Sequence, residues 1–156
     1  FATAQAKKLT DATLNANVGN PISWFNDSQS LLVKMLPNNR KSLIDQKKEL
    51  PKGPIVSNSD GKVSQNRTYQ DLLKNPSDEQ NFETLMTSEL YRVLLNGSKE
   101  LFKKADMYIS ESFSPDGSHL MLTTLEKPFS YIVPFNRFPQ KSVVFDAKGN
   151  EIKKVN

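Results

Sequence analysis

The feature that most constrains this chain is a pattern of short apolar segments joined by tight turns, and the chain uses that pattern twice. Pro21–Phe25 is apolar and runs into Asn26-Asp-Ser-Gln, a turn-forming cluster, after which Leu31–Leu36 reads as a returning strand ended by Pro37. Tyr108–Phe113 runs into Ser114-Pro-Asp-Gly, and Leu120–Leu125 returns. That tetrapeptide turns for physical reasons: Pro fixes φ, Asp hydrogen-bonds locally, and Gly accepts a positive φ. Two further hairpins follow the same rules. Leu90–Leu95 and Lys99–Lys104 flank Asn96-Gly97, and Ser142–Asp146 and Glu151–Val155 flank Lys148-Gly149.

These hairpins make an internal repeat. Trp24–Leu32 aligns with Phe113–Met121, placing Asp116 on Asp27 at an offset of 89 residues. The second hairpins align on Gly97 and Gly149 at an offset of 52. Each unit then holds four strands, and the first carries an insertion over about residues 38–86. Four-stranded units repeated along a chain suggest propeller blades. The expected fold is all-β, a partial β-propeller of about two four-stranded antiparallel blades packed face to face, with a small helical insertion. Its expected boundaries are 1–10 for the outer strand of a preceding blade, 11–106 for the blade carrying the insertion, and 107–156 for the second blade.

The insertion begins as loop chemistry, with Asn58-Ser-Asp-Gly61 reading as a turn. Thr68–Lys74 then predicts a short helix capped by Thr68 and stopped at Asn75-Pro76, and Ser77-Asp-Glu-Gln80 predicts a capping box opening a second helix toward Met86. Trp24, Phe113, Tyr131, Phe135 and Phe138 are expected to fill space between packed sheets. The lysine pairs Lys7-Lys8, Lys103-Lys104 and Lys153-Lys154 fall on outer strands, where lysines oppose edge-to-edge aggregation.

Composition removes several function classes. The chain of 156 residues has no cysteine, which excludes a disulfide scaffold and a thiol nucleophile. With one histidine, His119, a zinc site would depend on carboxylates, so no metal and no cofactor are expected. No run of ~18 apolar residues is present, so no membrane partner is expected. The net charge of +4 comes mostly from scattered lysines; the arginines are Arg40, Arg67, Arg92 and Arg137. Nucleic-acid readers lean on arginine, so no nucleic-acid partner is expected. The first residues, Phe1-Ala-Thr-Ala-Gln-Ala-Lys-Lys, show neither an initiator Met nor a signal-peptide pattern, and the chain reads as processed or excised. There is no G-x-S-x-G nucleophile elbow. Ser118 and His119 are adjacent in an extended segment, so they are expected to point apart and not to form a nucleophile–base bond.

Two long runs carry a resemblance to a known family. Arg67–Phe82 (Arg-Thr-Tyr-Gln-Asp-Leu-Leu-Lys-Asn-Pro-Ser-Asp-Glu-Gln-Asn-Phe) resembles the insertion of the glutamyl endopeptidase group of the prolyl oligopeptidase family of serine peptidases. Lys127–Pro139 resembles a signature of the same group, as does the spacing from Trp24 to Leu50-Pro-Lys-Gly-Pro54. The resemblance implies an N-terminal β-propeller that gates and shapes peptide access to a C-terminal α/β-hydrolase domain, cleavage after glutamate, and an exported or periplasmic setting. The catalytic half is absent from this sequence, so no catalytic residue is carried over and the chain alone is expected to be inactive. A glutamate-specific peptidase needs a cation for the substrate carboxylate; the substrate-binding candidates are Arg137, then Arg67 and Lys127. The expected partners are the hydrolase domain of the parent chain, peptide substrates and, through the faces meant for further blades, a second copy. The other reading, from a different class, is a stand-alone propeller-like protein-interaction module.

Overall fold

The structure, a computed structural model, describes residues 5–45 and 69–155. Among these the chain forms β1 (Ile22–Trp24), β2 (Ser30–Met35), α1 (Pro76–Met86), β3 (Ser88–Leu94), β4 (Lys99–Asp106), β5 (Tyr108–Phe113), β6 (His119–Leu125), a single 3-10 turn (Phe135–Arg137), β7 (Gln140–Asp146) and β8 (Glu151–Lys154). The strands make two four-stranded sheets, ordered β1-β2-β3-β4 and β5-β6-β7-β8, antiparallel throughout. The fold is therefore all-β with one short helix.

The turns explain the strand order. Gly97, Gly117 and Gly149 sit at φ +96°, +70° and +86°, a region that costs an L-residue ~1–2 kcal/mol, and each closes a hairpin. The β1–β2 hairpin has no glycine. There Ser28 takes φ +53°, and Asp27 Oδ1 accepts hydrogen bonds from Gln29 N at 2.8 Å and Ser30 N at 2.9 Å. All four hairpin turns lie at one end of the sheets. The long connections β2–β3 and β6–β7, and the crossing from β4 to β5, lie at the other end.

The pleat sends alternate side chains to opposite faces. Between the sheets, Leu32 and Leu90 of the first sheet and Phe25 at its edge meet Tyr108, Leu120 and Leu122 of the second. Phe25 is the hub: its ring stands edge-on to Phe102 at 5.7 Å and to Phe113 at 5.1 Å, and the Arg92 guanidinium lies 4.6 Å from its centre. The outer face of the first sheet is apolar too, with Leu31, Val33, Met35 and Val93 buried and Leu9 packed on them. Ile22 and Trp24, paired with Val33 and Leu31, share that face. The outer face of the second sheet is more polar; Thr123 and Ser142 share a hydrogen bond of 2.9 Å there.

Several expectations are corrected. Tyr69–Lys74 is not helical; Asp71 at φ +57° breaks any helical path. The cap of α1 is Asn75, two residues before the expected Ser77, because Asn75 Oδ1 accepts from Asp78 N at 2.8 Å and Pro76 occupies the first turn. Phe113 packs between the sheets as expected, but Phe138 is buried against α1 and its own connection instead, and Trp24 is 56% and Phe135 41% exposed. Phe25, next to Trp24, takes the core position because the pleat points neighbours apart. Lys103 is no edge guard: its Nζ lies 3.7 Å from the centre of the Phe145 ring and donates to Gly149 O, joining the two sheets. Lys153 and Lys154 are exposed on β8. Arg67, Thr68 and the Asn58–Gly61 turn lie outside the described residues.

Candidate functional site

The end of the sheets that carries the long connections holds Lys127 and Arg137, the two candidates among the described residues. Helix α1 closes the β2–β3 connection, and residues 126–139 form the β6–β7 connection beside it. The two are joined first by apolar contact. Phe82 of α1 stands edge-on to Phe129 at 5.2 Å and to Phe138 at 5.7 Å, while Phe129 and Phe138 stack at 5.3 Å. Met86, Met107 and Leu125 are buried beneath them. This cluster fixes the path of a segment whose sequence has little regular structure of its own.

Polar contacts then align the surface of the joint. Glu79 and Glu83 are four residues apart on α1 and so lie on one face. Glu83 Oε2 meets Lys127 Nζ at 2.7 Å. Glu79 accepts from the Tyr131 hydroxyl, whose pKa is raised by desolvation and by the charge of that carboxylate. Lys127 also lies 5.7 Å from the Phe129 ring centre. Its charge is thus shared between a carboxylate and an aromatic face, which weakens its claim as a ligand for substrate.

Arg137 is different. It ends the 3-10 turn, whose backbone is closed by Arg137 N donating to Pro134 O at 2.9 Å. Its side chain is exposed and has no ion pair or hydrogen bond among the described residues. Ile132 and Phe135 are exposed on the same connection, at 59% and 41%. The structure brings Arg137 and Lys127 onto one connection.

At the opposite end, Ser118 Oγ lies 2.6 Å from His119 Nδ1 and 2.6 Å from Asp116 Oδ2. The expectation that the two neighbours point apart is therefore wrong, because the turn curls Ser118 back over the strand start. The arrangement is still not that of a hydrolase. In such a triad the acid orients the histidine; here Asp116 holds the serine, and the group is solvent-exposed.

Two residues central to the structure gave a signal that the sequence pattern hid. Lys34 stands within an apolar strand with its side chain 4% exposed, and Nζ lies 2.7 Å from Glu111 Oε2 in the second sheet. The contact is an ion pair set by distance, not an aligned hydrogen bond. A charge inside an otherwise apolar run was the available clue. Among the described residues no group of three or more His, Asp or Glu is placed to hold a metal ion, and no helix is long and apolar enough to cross a membrane.

Two curated proteins are similar over nearly the whole chain. A protein named "Probable glutamyl endopeptidase, chloroplastic" from Oryza sativa subsp. japonica is 36% identical over 149 residues, 95% of this chain and 16% of the relative. One of the same name from Arabidopsis thaliana is 34% identical over 146 residues, 93% of this chain and 15% of the relative. This chain is a homologue of a short stretch of glutamyl endopeptidases. The relation stands at the level of a peptidase family. The similarity to the glutamyl endopeptidases takes in both sheets and α1 together, since it leaves out only a few residues of the chain. No family profile matches the chain, and no solved structure matches it.

Proposed function

We propose that the chain is a non-catalytic part of a glutamyl-endopeptidase-like serine peptidase, where it shapes peptide access to an α/β-hydrolase domain of the parent protein. In this reading residues 11–106 and 107–156 are neighbouring propeller blades, and residues 1–10 are the outer strand of the blade before them. The observation that carries the reading is 36% identity to a glutamyl endopeptidase along 95% of the chain. Two sheets of the same strand order, packed face to face on Phe25, support it. So does Leu9, which lies on the apolar outer face of the first sheet.

Arg137 is the substrate-recognising cation in this reading, because it is exposed at the connection end with no ion pair among the described residues, and an Arg takes a carboxylate through two parallel bonds. Lys127, already engaged by Glu83, plays a lesser part. The exposed Ile22, Trp24 and Leu101 are meant for an apolar neighbour, so the isolated chain self-associates.

The test uses the full-length enzyme. Arg137→Ala should raise KM for a glutamyl peptide by about tenfold, the equivalent of ~1.4 kcal/mol of a charge-assisted contact, and leave a glutaminyl peptide unchanged. Unaltered discrimination between the two would remove Arg137 from the role. The 156-residue chain alone should hydrolyse neither peptide, and turnover by it would overturn the non-catalytic reading.

A further inference from the structure

A second basic site is built where the segment after β2 lies along α1. Two contacts fix that segment on the helix. Arg40 Nε donates to Thr84 O at 3.3 Å, and one turn earlier on the helix Asn81 clamps Ile44, accepting from its N at 2.7 Å and donating to its O at 3.0 Å. Beside these contacts is an open cavity of about 270 Å³, lined by Asn39, Arg40, Lys41, Gln80, Glu83 and Thr84, with Ala105 of β4 also contributing. Small-molecule sites usually span ~300–1,000 Å³, so this one has room for about one side chain.

The charge in the cavity is unbalanced. Its acid, Glu83, is neutralised by Lys127 at 2.7 Å. Beyond the single Nε bond, Arg40 has no partner among the described residues, and Lys41 has none. Gln80 and Thr84 add neutral groups able to donate. A half-buried guanidinium with free terminal nitrogens, a neighbouring ammonium and neutral donors around a one-side-chain cavity make a receptor for a small planar anion.

We propose that this cavity binds a carboxylate, with Arg40 as its bidentate partner and Lys41 as the supporting charge. The carboxylate comes either from an acidic side chain of a peptide or from a chain terminus. The inference is independent of the Arg137 reading: it is read by binding and not by turnover, so either can fail alone.

The experiment is an NMR titration of the 156-residue chain with three probes. N-acetyl-glutamate α-amide offers a side-chain carboxylate, N-acetyl-alanine a terminal one, and N-acetyl-glutamine α-amide neither. One or both acids should bind in the millimolar range and shift the Arg40 Nε–H and the Thr84 amide, and the stronger acid identifies the source. Arg40→Gln should weaken that binding by about tenfold, and Arg40→Lys by less, since it keeps the charge and loses the fork. Lys41→Gln, on an exposed residue with no hydrogen bond or ion pair among the described residues, should weaken it about two- to threefold without touching the fold, and it decides the matter if Arg40→Gln does not fold. Equal binding of the glutamine probe, absence of binding by both acids, or undiminished binding in both Arg40→Gln and Lys41→Gln would overturn the proposal.

Discussion

Asp27 and Asp116 occupy the same place in the two units and close the same turn by different means. Asp116 works beside a glycine, whereas Asp27 works beside Ser28 at φ +53° and takes more bonds. Burial opposes the Asp27 charge, but donors from Gln29 N, Ser30 Oγ, Arg92 and Ser30 N outweigh it and hold the carboxyl well below its ordinary 3.8. A folded-state value below the unfolded one gives stability that is present above the unfolded value and is lost as pH falls through the folded one. Asp27→Asn should therefore flatten the loss of stability below about pH 4, seen by urea unfolding at a series of pH values. An acid limb of unchanged slope would contradict the assignment. Gly117 gives a second prediction at this scale. A Cβ there would stand 2.1 Å from Asn26 Cβ, at φ +70°, whereas at Gly97, φ +96°, nothing lies within 4 Å. Gly97→Ala should cost about 1 kcal/mol from the backbone alone, and Gly117→Ala about 3 kcal/mol or more, because the turns of the two units would also have to part. Equal losses in urea midpoint would show that the two turns do not press on each other.

The strands were legible in the sequence because turn chemistry bounded them on both sides. Tyr108–Phe113 was read to the residue, and the other seven strands to within about two residues, the ordinary scatter of element ends. The insertion was less legible, because its order comes from tertiary contact. Thr68–Lys74 has helical composition, yet Asp71 turns the chain and Asn75 caps the following helix instead. The far end of α1 is held by a residue with no local signal at all. Asn15 is 3% exposed, and its Nδ2 is shared among Leu85 O at 3.0 Å, Thr87 O at 3.1 Å and Ser88 Oγ at 3.0 Å. Asn15→Ala should cost about 2–3 kcal/mol, since it strands buried acceptors, against about 1 kcal/mol for the Asn75→Ala cap deletion. Hydrogen exchange should quicken at Ser88–Leu90 in the first variant and at Asp78 in the second. The reverse order of stabilities would mean that α1 is held by its cap and not by its junction with β3.

At the scale of the whole molecule, what joins the sheets was only half visible. Phe113 and the apolar alternation announced an inter-sheet core, but nothing in the strand pattern pairs Lys34 with Glu111, 77 residues further on. The candidate site divides in the same way. Arg137 could be picked out as an arginine in an aromatic loop, whereas Arg40 gains its meaning from α1 lying 44 residues further on, a contact no local pattern encodes. The Lys34–Glu111 pair makes the last prediction. Its side chains are 4% and 11% exposed, Ser23 Oγ donates to Glu111 Oε1 at 3.3 Å, and Lys34 Nζ donates to Val18 O at 3.4 Å. Two charges so enclosed return little net stability, because their attraction mainly offsets the loss of water; removing one partner leaves the other uncompensated. Glu111→Gln should therefore cost about 3 kcal/mol, at the low end of the range for buried pairs since Glu111 keeps some solvent. Lys34→Met with Glu111→Leu should unfold within about 1 kcal/mol of the unaltered chain, because both charges leave together and apolar volume fills the joint. If the double variant loses as much as the single one, the pair is a net source of cohesion between the sheets. If the single variant loses nothing, water reaches Lys34, and the sheets are held by the Phe25 cluster and the Lys103 contacts without help from the pair.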